Sequence, residues 1–298
     1  MQAGGRQPQE AAGRREMKPG TLYLCATPIG NLEDMTFRAV RVLREADLIA
    51  AEDTRNSVKL LNHFEIRTPM TSYHEHNKIE KGKKLVQLLK EGSQIALITD
   101  AGTPGISDPG EELVRMCHEE GVPVTALPGA AACITALTVS GLSTRRFAFE
   151  AFLPSDKKER QAVLAELKDE TRTLVFYEAP HRLVRTLREL LEAVGDRRMT
   201  VCRELTKIHE TVWQTRTEEA IAYYENQPPR GECVLVMEGK SRESLQQEAR
   251  AKWEALTPRE HVEYYLDQGK DKKTAMKLAA KDRGVSKREI YGQLLSDS

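Results

Sequence analysis

Residues 95–99 read Ile-Ala-Leu-Ile-Thr, and Asp100 follows at once. Successive side chains of a strand point to opposite faces, so four apolar residues without alternation make a strand covered on both sides. Such a strand belongs to a parallel sheet with helices on both faces. The flanking segments fit that demand. Residues 21–26 (TLYLCA), 48–51 (LIAA) and 122–126 read as further short strands. Residues 34–46, 57–63, 81–90 and 111–119 read as helices between them, the first capped by Asp34. Phe37, Val40 and Leu43 share one face of that helix, and Leu85, Leu88 and Leu89 share one face of the third. The rhythm is α/β.

A second unit follows a break near residues 140–144. Residues 147–152, 174–177, 199–204, 211–215 and 233–237 read as strands, with helices at 157–167 and 181–194. The sheet is expected to be mixed, its last two strands pairing at an edge. From residue 242 no strand-like segment remains; 258–268, 272–282 and 287–294 read as helices, broken at Gly269 and Gly284. A chain of 298 residues is about twice the usual ~150-residue domain. The expected organisation is a disordered leader (1–18), two α/β domains (19–140 and 141–240) and a small helical module (241–298).

Composition removes several function classes. Basic and acidic residues balance at 45 each, which excludes a uniformly basic nucleic-acid binder but not a local patch. Aromatics are only 5%, too few for a ribonucleoprotein-type stacking sheet. Five cysteines, an odd number with no CxxC pair, point to a reduced, cytoplasmic setting without disulfides or zinc. No run of 18 apolar residues suggests a membrane span. His74-Glu75-His76 lacks a third ligand, so no metal is expected. Neither GxGxxG nor a Walker loop occurs.

The strongest motif is residues 100–110, Asp-Ala-Gly-Thr-Pro-Gly-Ile-Ser-Asp-Pro-Gly, directly after the buried strand. Eleven loop-like residues exceed the ~2–6 usual between strand and helix. Ligands of open α/β sheets bind outside the carboxyl ends of strands, where this loop stands. Pro109 is expected in the first turn of the next helix. Pro128-Gly129-Ala130-Ala131-Ala132 likewise follows a strand and opens a helix. Glu52-Asp53-Thr54-Arg55 binds a polar substrate or caps a helix. In the second unit, charges gather at the strand ends around Tyr177-Glu178 and His181-Arg182, and around Arg203-Glu204 and Lys207. The tail holds the basic patch: eight Lys and Arg between Lys270 and Arg288 against Asp271 and Asp282, with Lys273, Lys277 and Lys281 at i+4 spacing on one face. A solvated helix face and a phosphate contact remain equal readings of it.

Taken in order, Pro28-Ile29-Gly30-Asn31-Leu32-Glu33-Asp34, Ala51-Glu52-Asp53-Thr54-Arg55, the 100–110 loop, Phe176-Tyr177-Glu178-Ala179-Pro180-His181-Arg182 and Arg203-Glu204-Leu205-Thr206-Lys207 resemble the tetrapyrrole-methylase (class III methyltransferase) superfamily, and within it the ribosomal RNA branch. The likeness runs from about Gly20 to the end and departs at Ala130-Ala131, where relatives often carry Pro-Ser. It implies two α/β domains with S-adenosylmethionine in the cleft between them, a homodimer, and 2′-O-methylation of a cytidine ribose in the decoding region of 16S rRNA of the small ribosomal subunit. Carried over, Asp100, Gly102, Thr103, Ile106, Ser107, Ala131 and Ala132 hold the methionine and ribose parts, and Tyr177, Glu178 and Leu205 approach the adenosine. Residue chemistry adds Glu204 or Glu178 as proton acceptor, Lys207 or Arg203 to ease loss of the hydroxyl proton, and Arg55 and Arg182 on phosphates. A tetrapyrrole methylase of the same fold and a non-catalytic ribosome-binding protein are the rival readings.

Overall fold

Two five-stranded sheets organise the chain in a computed structural model that describes residues 18–254 and 256–296. The expected leader, apart from Lys18, lies outside the described residues. The first sheet contains β1 (Leu22–Cys25), β2 (Leu48–Ala51), β3 (Met70–Ser72), β4 (Ile95–Ile98) and β5 (Val124–Leu127), in the order β3-β2-β4-β1-β5. All four pairings are parallel. β4 is central and every residue in it is buried. Its alternate residues feed two cores. Ile95 and Leu97 join Leu85, Leu89 and Leu113 on one face; Ala96 and Ile98 join Leu43, Ile49 and Leu61 on the other.

The helices of this unit are α1 (Phe37–Glu45), α2 (Thr54–His63), α3 (Lys78–Lys90), α4 (Gly110–Glu119) and α5 (Ala132–Val139). Two sequence expectations are corrected here. Thr36, not Asp34, caps α1, because Asp34 closes a separate 3-10 turn capped by Asn31. The buried stripe of α1 is Ala39, Val42 and Leu43, and Phe37 is 98% exposed. In α3 the buried residues are Gly82, Leu85, Val86 and Leu89, while Leu88 faces solvent.

The second sheet, from β6 (Phe147–Ala151), β7 (Thr173–Glu178), β8 (Arg198–Arg203), β9 (Thr211–Arg216) and β10 (Cys233–Met237), runs β6-β7-β10-β8-β9. β9 is an edge strand, but β10 is central. Its five residues are all buried, the same unalternated apolar signal that marks β4. Helices α6 (Lys157–Glu166), α7 (Leu183–Val194) and α8 (Thr217–Asn226) follow its strands. The tail holds α9 (Arg242–Glu254), absent from the sequence reading, then α10 (Pro258–Asp267), α11 (Lys272–Arg283) and α12 (Lys287–Ser296). Thr257 and Glu260 form a capping box at α10, and Val262, Ala275, Ala279 and Ile290 make a small core.

By contacts the chain divides into two units. Of the described residues, one unit takes those up to Val139 with Cys202–Val212 and Gly231–Val234; the other takes Ser140–Val201, Trp213–Arg230 and those from Leu235 onward.

Candidate functional site

In the first unit the loops leaving β1, β4 and β5 are tied to one another at the carboxyl edge of the sheet. Thr27, two residues past β1, exchanges backbone hydrogen bonds with Gly102: Thr27 N–H donates to the Gly102 carbonyl (2.9 Å), and Gly102 N–H donates back (3.1 Å). The buried Thr27 hydroxyl also donates to the Thr99 carbonyl at 3.1 Å. Gly102 holds φ +86°, a left-handed backbone that L side chains avoid. Thr103 Oγ1 donates to the Ala130 carbonyl (2.8 Å), joining the loop after β4 to the one after β5. Thr27 gives no sequence signal of its own; only the pairing of two strand-end loops reveals it.

Farther along, Asp108 holds the 100–110 loop closed. Its carboxylate accepts from Gly105 N–H (3.0 and 2.9 Å) and Gly110 N–H (2.7 Å). A Cβ on Gly110 would lie 2.7 Å from that carboxylate and 2.8 Å from the Gly105 nitrogen, so only glycine fits. Pro109 caps α4 rather than entering its first turn, and its carbonyl accepts from the buried Tyr73 hydroxyl (3.0 Å). Ile106 and Ser107 are exposed at the loop tip, Ser107 with φ +64°.

Carboxylates dominate the neighbourhood. Asp100 is exposed at the end of β4 and accepts from Asp53 N–H (3.2 Å). Burial of part of its surface, and then the nearby Glu52, push its carboxyl above the ordinary value. Glu52 accepts from the Thr99 hydroxyl and from Asp100 N–H (3.3 Å). Asp53 caps α2 and binds the Arg55 guanidinium through Nε (3.0 Å) and Nη2 (2.7 Å), which lowers its carboxyl to about 2. Arg55 is therefore already paired, though its side chain is largely exposed. Ala131 and Ala132 open α5, and the Ala131 carbonyl accepts from Thr135.

The segment after β8 belongs to the same unit. Arg203 ends β8, and Glu204 and Thr206 take left-handed backbone angles (φ +51° and +67°). Leu205 is buried, and its carbonyl lies so near Gly30 that a Cβ there would come within 2.9 Å of the oxygen. Lys207 Nζ bonds Glu204 Oε1 at 3.0 Å.

In the second unit Glu178 closes β7 and is fully buried. Its Oε1 accepts from Ala179 N–H (2.8 Å) and Arg182 Nε (3.0 Å), and its Oε2 accepts from the buried Thr186 hydroxyl. A carboxylate so fully engaged is an anchor, whereas Glu204 has the more open position. The rings of Phe149 and Phe152 both meet Tyr177, with centroids 4.9 and 5.6 Å away. On α11, Lys273, Lys277 and Lys281 are exposed together on one face. His74 and His76 lie in and beside a turn with ring centroids 6.0 Å apart, and among the described residues no group of three ligating side chains is placed to hold a metal. Among these residues, too, no helix is long and apolar enough to cross a membrane.

Comparison with known proteins gives three results. The family model described as Tetrapyrrole (Corrin/Porphyrin) Methylases matches residues 21–221. The chain is 51% identical over 283 residues to the ribosomal RNA small subunit methyltransferase I of Halalkalibacterium halodurans, covering 95% of this chain and 97% of that protein. The Bacillus subtilis protein of the same name is 49% identical, covering 94% of each. In fold, the chain is similar to the crystal structure of Thermus thermophilus uroporphyrin-III C-methyltransferase complexed with S-adenosylhomocysteine: TM-score 0.53, 23% identity, 73% of this chain and 97% of the other.

Proposed function

The chain belongs to the tetrapyrrole (corrin/porphyrin) methylase family, and from that membership we propose an S-adenosylmethionine-dependent methyltransferase acting on 16S ribosomal RNA, at the ribose 2′-hydroxyl of a cytidine in the decoding region. One observation carries the choice of RNA: identity near 50% along nearly the whole chain to proteins named ribosomal RNA small subunit methyltransferase I. The tetrapyrrole-named structure shares only the fold. A porphyrinoid acceptor would also want an aromatic trough, in a chain with 5% aromatics.

The donor set past the ends of β2 and β4 suits the cofactor. Glu52, Asp53 and Asp100 crowd three carboxylates against the single guanidinium of Arg55, and such an excess of negative charge suits a ligand bearing sulfonium and ammonium groups. Asp100, Gly102, Thr103, Ile106, Ser107, Ala131 and Ala132 would hold its methionine and ribose parts, with Leu205 of the same unit toward the adenosine. When bound, S-adenosylmethionine supplies a methyl group on a positively charged sulfur, open to in-line displacement.

This chain's own task is alignment and proton removal. Holding two reactants in line is worth roughly 7–11 kcal/mol, more than one acid–base group usually contributes. Glu204, beside Lys207, is the acceptor for the hydroxyl proton, and Arg203 adds positive charge nearby. Glu178 instead fixes Arg182. Arg55 and the Lys273, Lys277 and Lys281 face take phosphates. We assign the work to the cytoplasm, in keeping with five buried cysteines, none of them in a disulfide; burial pushes the Cys25 and Cys202 thiols up to about 12. The homodimer is supported by α5, an almost wholly apolar helix on which Ile134 and Val139 remain exposed.

The test is transfer of labelled methyl from S-adenosylmethionine to small subunits from a strain lacking this modification, with a tetrapyrrole acceptor in parallel. Label in a cytidine ribose of 16S RNA is expected. Label only in the tetrapyrrole, or in neither, overturns the reading. Glu204→Gln should lose at least 100-fold in kcat with cofactor affinity kept; near-native turnover removes Glu204 as the acceptor.

A further inference from the structure

Phe152 is 46% exposed at the carboxyl edge of the second sheet, in a protein with few aromatics. Its direction is set by an irregularity. β6 pairs with β7 in parallel, Phe149 opposite Val175, but the next partner of Phe176 is Ala151, so β6 carries one extra residue. Ala151 takes φ +50°, a left-handed conformation that is strained for alanine. In a regular strand residues 149 and 152, three apart, point to opposite faces. The bulge reverses that parity and puts both rings against Tyr177. Bulges and strained backbone of this kind gather where a side chain must be re-aimed for function.

The Arg182 guanidinium lies over the Phe152 ring, 5.8 Å from its centroid. Both partners hang from one buried polar chain. Glu178 holds Arg182 Nε; Thr186 donates to Glu178; Arg160, 3% exposed, bonds the Thr186 hydroxyl (2.7 Å) and reaches the Leu153 and Pro154 carbonyls just after Phe152 (3.5 and 3.4 Å). Arg160 is in turn paired with Glu189. A buried network of this kind rigidifies whatever it holds. Here it holds a half-exposed ring and a cationic plane.

Resting on the RNA reading above, we propose that Phe152 and Arg182 form a stacking platform for an unpaired pyrimidine base of the RNA acceptor. Reaching a ribose hydroxyl within folded RNA favours an unstacked nucleotide, and unstacked bases are received on aromatic rings and arginine planes. Lys157 and Lys158, exposed just beyond the same loop, suit the adjoining phosphates.

The experiment measures KM for unmodified small subunits, and dissociation constants for S-adenosylhomocysteine, in wild-type, Phe152→Ala, Phe152→Tyr and Arg182→Lys proteins. Loss of one stack raises KM roughly 5- to 150-fold. Phe152→Ala is expected to show that rise, Phe152→Tyr to restore near-native KM, and Arg182→Lys to fall between them, all with cofactor affinity kept. Unchanged KM in Phe152→Ala overturns the platform, as does weakened cofactor binding, which would assign the ring to adenine. A change of oligomeric state in Phe152→Ala also overturns it, making the ring a subunit contact. If wild-type protein transfers no methyl to RNA, the RNA reading itself falls and takes the platform with it.

Discussion

Asp100 and Glu170 show how one chemical group, the carboxyl, is tuned in opposite directions. Asp100, with its carboxyl raised by burial and Glu52, is easier to protonate folded than unfolded. Its ionisation therefore costs stability as pH rises past the ordinary value, a cost that a bound cation offsets. Asp100→Asn should weaken S-adenosylhomocysteine binding about 10-fold or more by calorimetry, the scale of a charged hydrogen bond. Wild-type affinity should fall as pH drops toward the raised pKa, and the variant should show a flatter profile. Glu170 behaves in reverse: Arg172 bonds it through Nη2 (2.6 Å) and the backbone N–H (2.7 Å), lowering it from 4.5 to about 2. The stability it contributes is complete above about pH 4.5 and is lost as pH falls toward about 2. Urea unfolding of Glu170→Gln at pH 5, 4 and 3 should show a smaller decline than wild type. Neither effect can be read from residue type, because Asp and Glu at strand ends look alike until their neighbours are known.

Among the elements, the 100–110 loop was the most legible, since its glycines, prolines and length mark it without help from the fold. Its internal logic was not. Asp108 satisfies the N–H groups of Gly105 and Gly110, the second at the very start of α4, so that N–H is already taken from within the loop. Gly110→Ala should cost about 1–3 kcal/mol in urea unfolding, the range for overpacking, and weaken cofactor binding with it. Helix α1 failed differently: spacing from Phe37 selects 37, 40 and 43, yet the face turned inward is Ala39, Val42 and Leu43. Helical periodicity defines a stripe only once its phase is known. The bulge in β6 is likewise invisible, because Glu150-Ala151 carries no glycine to announce a left-handed residue.

At the scale of the whole molecule, balanced total charge conceals a basic face. Replacing Lys273, Lys277 and Lys281 with Gln should lower the log–log salt slope of RNA binding by about 2–3 while leaving cofactor affinity unchanged, if each lysine meets one phosphate; an unaltered slope removes α11 from the interface. The apolar, half-exposed α5 should seat a second copy, giving twice the monomer mass by light scattering, and Ile134→Lys should return the monomer. The sequence by itself determined the α/β class, the buried centre of the first sheet and the place of the glycine–proline loop at the end of β4, because unalternated apolar runs and Gly-Pro loops are local signals with one physical solution. Tertiary structure alone decided that β10 is central, that Thr27 and Gly102 lock two strand-end loops together, and that Glu178 is an anchor for Arg182. These depend on which strands become neighbours, and hydrogen bonds between residues far apart in the chain leave no periodic trace in it.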